Sequence, residues 1–292
     1  MGQAPEKPSL LASYLEVLQP RNSEDVSIML AGDAASFPAR PIKSGSIEYF
    51  VPEDALQGGD PLVARLARAS HTRRLRVISL LSFVHGPGIM FDIGGNIGTT
   101  SIPRALLHAF DHIHVFEPEP RNFACLQHGI EINAVGDRMT AWRLAVGEKP
   151  QTGWLRISAG MGRHDIRRDH TKEGDVACEV TSLDHWLESN RVNPSRIRFV
   201  KVDVQGHEPM VLRGASKILS LGQAVWQLEA APQLLKRYGT SGEEFVALLR
   251  HNFSWFCDLH AVHEGFRPTR ELKPCLNLEG RRFTDLVLFR AA

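Results

Sequence analysis

The chain has 292 residues, 43% of them hydrophobic, with 34 basic against 33 acidic side chains and a formal net charge of +1. That length and apolar content suit one large α/β domain with an N-terminal extension, and the near-zero charge leaves no electrostatic footprint for a nucleic-acid partner. The four cysteines, Cys125, Cys178, Cys257 and Cys275, lie too far apart for a zinc knuckle or a disulfide framework; with no run long and apolar enough to span a bilayer and no secretory leader, a reducing, cytoplasmic setting is expected.

In chain order, residues 1 to about 60 are irregular, with prolines at 5, 8, 20, 38, 41, 52 and 61, a short amphipathic stretch at Leu10–Leu18 and a strand at Ile47–Val51. This reads as a cap over residues 1–85, ahead of a main domain over 86–292. A helix is expected from Pro61 to about Phe83, with His71, Arg73, Arg74 and Arg76 on a solvated face. From Gly88 the pattern becomes regular: strand 88–93, helix 97–109, strand 112–116, helix 120–132 and strand 139–145. Two βαβ crossovers follow, hence a parallel sheet with right-handed connections. Between Gly147 and Val180, hairpin arms at Trp154–Ser158 and Val176–Val180 flank a long loop, GMGRHDIRRDHTKEGD, of the length that functional loops have. Then come a helix at Leu183–Glu188, strand 197–204, helix 208–219, strand 223–229, helix 242–251 and an antiparallel pair at Ser254–Leu259 and Phe283–Arg290. No heptad seam or long apolar patch announces an oligomer.

Three constellations carry chemistry. The first is FDIGGNIG, Phe91 to Gly98, where an apolar strand runs into a glycine loop that opens a helix. Gly94, Gly95 and Gly98 allow positive φ and close approach of a ligand, and the helix N-terminus should offer free N–H groups. The second is HIHVFEPEP, whose Glu117 stands about 20 residues past Gly98, where an acid in a doubly wound fold accepts both hydroxyls of a ribose. Pro118 and Pro120 stop that strand and hold the acid in place. Together these describe a nucleoside with a free ribose, which nicotinamide dinucleotides and S-adenosylmethionine both provide. The loop reads DxGxNxG rather than GxGxxG. Asp92 would repel a diphosphate but favour the ammonium of a bound amino acid, and Asn96 would donate to its carboxylate, so S-adenosylmethionine is the better match.

The third constellation is FVKVDVQGHEPMVLRGA, Phe199 to Ala215, in which a strand delivers Lys201, Asp203 and Gln205 before Gly206 opens a helix bearing His207, Glu208 and Arg213. Polar groups alternating through an apolar strand need partners, which makes this a second part of the site. Structural ion pairing is the reading for Lys201 and Arg213.

In this order and spacing, FDIGGNIG, FEPEPRNF, TSLDHWL and VKVDVQGHEPMVLRGA resemble the FkbM-type S-adenosylmethionine-dependent methyltransferases over about residues 88–230. The resemblance implies the class I methyltransferase fold, a Rossmann-like, mostly parallel seven-stranded sheet flanked by helices. It also implies O-methylation of hydroxyl groups, often on sugars, glycolipids or polyketide rings. Carried onto this chain, it puts Asp92, Gly94, Asn96 and Gly98 at the methionine end of the donor, Glu117 at the ribose, and Asn122 and Ala145 with Val146 around the adenosine. The family pattern DxEGxE is broken by Gln205, with Asp203 and Glu208 kept, and Gly95 replaces a common alanine, a change expected to be benign.

Transfer of a methyl to an alcohol needs a base near the strand ends. Asp203 is placed best, with His207 and Glu208 as the other candidates. A divalent metal held by Asp203 and Glu229, on neighbouring strand ends, is an alternative form of assistance. The acceptor, a small-molecule or carbohydrate-type hydroxyl compound, is expected between the N-terminal segment and the 159–175 loop, gripped by Arg163, His164, Arg167, Arg168 and His170. Rival readings are a nicotinamide-dependent oxidoreductase, an N-methyltransferase on the same fold and a catalytically silent binding module.

Overall fold

The computed structural model describes residues 26–29, 36–44, 47–58, 60, 63–64, 86–156, 165–167, 175–273 and 283–290. The stretch Leu10–Leu18, the helix from Pro61 with its His71, Arg73, Arg74 and Arg76, and loop residues Arg163, His164, Arg168 and His170 lie outside the described residues.

Strands β1 (Val26–Met29), β2 (Ser36–Ser44) and β3 (Ile47–Pro52) form a three-stranded antiparallel sheet followed by the short helix α1 (Glu53–Gln57). The main α/β unit begins with β4 (Ile89–Ile93), α2 (Ser101–Leu106), β5 (His112–Phe116), α3 (Pro120–Ile132) and β6 (Met139–Trp142). A small four-stranded sheet is built from β7 (Ala145–Val146), β8 (Gln151–Arg156), β9 (Asp165–Arg167) and β10 (Val176–Thr181). The chain continues through α4 (Leu183–Ser189), β11 (Ile197–Val202), α5 (Glu208–Arg213), α6 (Ser216–Leu221), β12 (Val225–Ala230), α7 (Pro232–Arg237), α8 (Gly242–Asn252), β13 (Trp255–Asp258), β14 (Arg267–Pro268) and β15 (Thr284–Phe289).

The main sheet runs β14-β13-β15-β12-β11-β4-β5-β6. Strands β6, β5, β4, β11 and β12 are parallel, while β15 is antiparallel to both β12 and β13. This is the class I methyltransferase arrangement, widened at one edge by the two-residue β14. All of β4 is buried, as a central strand covered on both faces must be. Alternation splits its neighbours between two clusters: Met90, Phe199, Val225 and Val287 face one way, and Phe91, Val200, Trp226 and Leu288 the other. On that second face Trp186 of α4 meets Phe91, Phe116 and Trp142 edge-on, with ring centroids 5.3, 5.3 and 5.2 Å away.

The described N-terminal segment is docked on α3. Phe50 packs edge-on against His128 at 4.3 Å, Asn133 Nδ2 donates to Glu48 O at 2.8 Å, and Arg121 donates to Asp54 Oδ2 at 2.9 Å. Phe37, Ala39, Ile47, Tyr49, Phe50 and Val51 join the same cluster as Met90 and Ile113, so this segment shares the core of the main sheet.

Three expected elements are shorter than their sequence patterns. The helix drawn over 97–109 is only Ser101–Leu106, because Asn96 and Gly98 before it and His108 after it take positive φ. The helix drawn over 208–219 is two, broken at Gly214, whose carbonyl accepts the Asp184 N–H at 2.9 Å. The strand drawn over 139–145 ends at Trp142, and Ala145–Val146 leave it to pair with β10.

Candidate active site

Strand order reverses beside β4, which has β5 on one side and β11 on the other. In an open α/β sheet the crevice outside the strand ends at such a point is where ligands bind. The loop leaving β4 there is tied down. Gly94 and Gly95 N–H both donate to Phe116 O, at 2.9 and 3.1 Å, and Asn96 N–H donates to Glu117 Oε2 at 2.8 Å. Ile97 N–H is taken by the Asn96 side-chain oxygen at 2.8 Å and Gly98 N–H by Gly95 O at 2.9 Å. The expectation of free N–H groups is therefore corrected for residues 94–98, whose donors close the turn. Gly95 is also more than benign: a Cβ there would sit 2.0 Å from Val115 Cγ1.

Glu117 is only 5% exposed. Besides Asn96 N–H it accepts Glu119 N–H at 3.0 Å through Oε1, and the Asn122 side chain also bonds to it. Burial pushes its carboxyl up to about 7, against the opposing pull of the Glu119 and Asn96 N–H groups. Asn122 is held in turn, its N–H donating to the α3 cap Glu119 at 2.5 Å. Ala145 and Val146 are buried, their side chains packed into two apolar clusters; the face they leave for any ligand is backbone.

Asp92 is engaged within the protein. It is 0% exposed, accepts a hydrogen bond from Ser101 Oγ, and pairs with Lys201 Nζ at 3.2 Å. Lys201 Nζ also lies 3.6 Å from Asp203 Oδ2, so the ion pairing expected of Lys201 is present. Burial pulls the Lys201 ammonium down, but Asp92 and Asp203 together hold it above its ordinary value. Arg213 is exposed, donates to Met210 Sδ at 3.4 Å and lies close enough to Glu244 to help lower its carboxyl.

The ends of β11 and β12 bring Asp203 and Glu229 together with an amide between them. Gln205 Nε2 donates to Asp203 Oδ1 and to Glu229 Oε2, each at 2.9 Å. The Asp203 side chain is 36% exposed, the accessible acid of the group. Burial, with Asp203, Glu208 and Asp285 nearby, raises the Glu229 carboxyl well above its ordinary value. Glu208 is turned inward at 1% exposure, where Oε1 accepts the N–H groups of Val204 and Gly206 at 3.0 and 3.2 Å. Burial lifts its carboxyl to about 7. His207 lies against the Tyr238 ring, centroids 3.8 Å apart. Of the candidate bases, then, the structure turns Glu208 to its own loop and His207 to Tyr238. Among the described residues no group of three or more His, Cys, Asp or Glu is placed to hold a metal ion. Gln205, noted in the sequence only as a departure, is the residue that joins the site's two carboxylates.

A Methyltransferase FkbM domain model matches residues 92–255, more than half of the chain. The chain belongs to the FkbM methyltransferase family. It is 29% identical over 144 residues to the hexuronic acid methyltransferase AglP of Haloferax volcanii, a match covering 48% of this chain and 55% of that protein. It thus spans about half the length of this relative. Similar solved structures include an FkbM methyltransferase from Methylobacillus flagellatus (17% identity, 69% of this chain and 43% of that one, TM-score 0.40) and Trm5b from Pyrococcus abyssi (12% identity, 91% and 62%, TM-score 0.42). No described helix of this FkbM-family chain is long and apolar enough to cross a membrane.

Proposed function

We propose that this methyltransferase moves a methyl group from S-adenosylmethionine to a hydroxyl of a sugar-type acceptor, with Asp203 as the base. The observation that carries the reading is the 2.8 Å bond from Asn96 N–H to Glu117 Oε2, which joins the glycine loop and the acid of β5 into one rim at the sheet's reversal point. Glu117 accepts one backbone N–H on each oxygen and a further bond from the Asn122 side chain, which leaves acceptor capacity for a ribose hydroxyl. Gly94, Asn96 and Gly98 shape the floor on which the rest of the donor would lie, and Asn122 supports Glu117 from behind. Asp92, with its charge met by Lys201, serves the floor rather than the ligand.

Bound S-adenosylmethionine supplies a methyl on a positively charged sulfur. Asp203 sits where an acceptor hydroxyl could approach the rim, and its exposure leaves room to take the hydroxyl proton while the oxygen forms its new bond to carbon. The methyl–sulfur bond breaks with its electron pair left on sulfur, so charge and atoms balance. Positioning and proton removal are the chain's two contributions, the second worth a factor of about 10² to 10⁴. A sugar hydroxyl is favoured as acceptor by the likeness to the hexuronic acid methyltransferase.

Calorimetry with S-adenosylmethionine, its demethylated product and NAD tests the donor: binding of the first two without the third is expected, and binding of NAD alone would overturn the reading. Labelled methyl transfer to a panel of free sugars, uronic acids and glycolipids then tests the acceptor. Asp203→Ala should lower turnover at least about 100-fold while donor affinity changes little; undiminished turnover removes Asp203 from the mechanism.

A further inference from the structure

The turn after β11 places one side chain by an unfavourable route. Gln205 has a φ of 56° and Gly206 a φ of 107°, two successive residues in the left-handed region that a Cβ disfavours. The turn is nonetheless fixed. Glu208 Oε1 holds the Val204 and Gly206 N–H groups, and a Cβ on Gly206 would meet Leu234 O at 2.6 Å. The result is that the Gln205 side chain lies back across the strand ends. Strain kept in place by its surroundings is characteristic of functional positions.

What the turn achieves is chemical. Both hydrogens of Gln205 Nε2 are used, one on Asp203 Oδ1 and one on Glu229 Oε2, at 2.9 Å each. Lys201 is shared between Asp92 at 3.2 Å and Asp203 at 3.6 Å. A glutamate at 205 would bring a third acid within hydrogen-bond reach of two others, a charge that Lys201, already shared, would have to offset.

We infer that Gln205 is a positioning residue that aims Asp203 at the acceptor hydroxyl, and that its amide fills the place between Asp203 and Glu229 where a glutamate would open a site for a divalent cation. The first half rests on the proposed role of Asp203; the second does not. Oxygen ligands of this kind suit Mg²⁺ or Mn²⁺, so one substitution should convert a hydrogen-bonded pair into a cation site.

The test uses the full chain and two near-isosteric variants. Mn²⁺ titration by calorimetry needs no acceptor: Gln205→Glu should bind Mn²⁺ at least about tenfold more tightly than the native protein, and equal binding by the two would overturn the cation half. In the methyl-transfer assay, Gln205→Met should lower kcat by about 10- to 100-fold with KM for S-adenosylmethionine nearly unchanged. Gln205→Glu should lose kcat likewise and regain part of it in Mn²⁺, which a merely structural role would not produce. Native kcat in Gln205→Met overturns the positioning half. Should the native protein methylate nothing in the panel, the functional reading fails, and the Mn²⁺ comparison still decides the role of the amide.

Discussion

Replacing Glu117 with glutamine isolates the proton that the buried carboxyl carries. Its folded pKa stands at about 7 against an ordinary 4.5. Between those pH values the folded chain keeps a proton that the unfolded chain has released. The stabilising contribution is therefore complete below pH 4.5 and is lost as pH rises through 7, at up to about 1.4 kcal/mol per pH unit, or about 3 kcal/mol in all. Glutamine has no such titration. It does forfeit one bond, because its single side-chain oxygen cannot accept from both Asn96 N–H and Glu119 N–H; that penalty of about 1–3 kcal/mol does not depend on pH. Urea denaturation of both proteins without methyl donor, at several pH values from 4.5 to 8, should find Glu117→Gln less stable in acid. The difference should shift by about 3 kcal/mol in the variant's favour towards pH 8, closing the gap or reversing its sign. The titration of Glu208 is common to both proteins and cancels. A stability difference that stays constant across the range would refute the argument, since Glu117 would then hold no proton that folding protects.

Other perturbations separate the packing of the loop from its electrostatics. Gly95→Ala places a methyl 2.0 Å from Val115 Cγ1 and should lower stability by about 1–3 kcal/mol, with much of that restored in Gly95→Ala/Val115→Ala; thermal melts showing an unaffected single variant would deny the clash. Lys201→Met takes the cation from a wholly buried Asp92 and should cost about 3–5 kcal/mol in denaturant titrations. Adding Asp92→Asn to Lys201→Met should recover a large part of that loss, and purely additive losses would show that the pair does not act as a unit.

How much of this was legible in the residues depends on how far away each determinant lies. Strand β5 and helix α3 begin and end where the pattern puts them, at His112–Phe116 and Pro120–Ile132, because Pro118 and Pro120 punctuate the chain locally. The break between α5 and α6 has no such local sign. Gly214 stands at the break, where a Cβ would lie 2.2 Å from Gly147 O, and the carboxylate of Asp184 caps the following turn through Ser216 and Lys217 N–H. A helix pattern cannot show partners more than 30 positions away. The site divides the same way. Polar residues within the apolar β4 and β11 marked Asp92, Lys201 and Asp203, but only the register that pairs Lys201 with Asp92 tells which charge meets which. Glu208 had the chemistry of a base, yet its direction follows from a left-handed turn that its spacing does not display.

The closed glycine loop changes the grounds on which a dinucleotide is set aside. In the sequence, the charge of Asp92 stands against a diphosphate; in the fold that charge is met by Lys201 and buried. The fate of the donors weighs more. A pyrophosphate is held by unsatisfied N–H groups at the start of a helix, and here the N–H groups from Gly94 to Gly98 are all bonded within the protein, ahead of a helix of only 6 residues. What the rim presents instead is acceptor capacity on Glu117. A rim of acceptors selects hydroxyl donors and tolerates positive charge, and an adenosyl group bearing a sulfonium brings both. The glycines therefore serve this chain by letting the loop fold onto Phe116 and Glu117 rather than by leaving donors free, which accords with the proposed methyl donor.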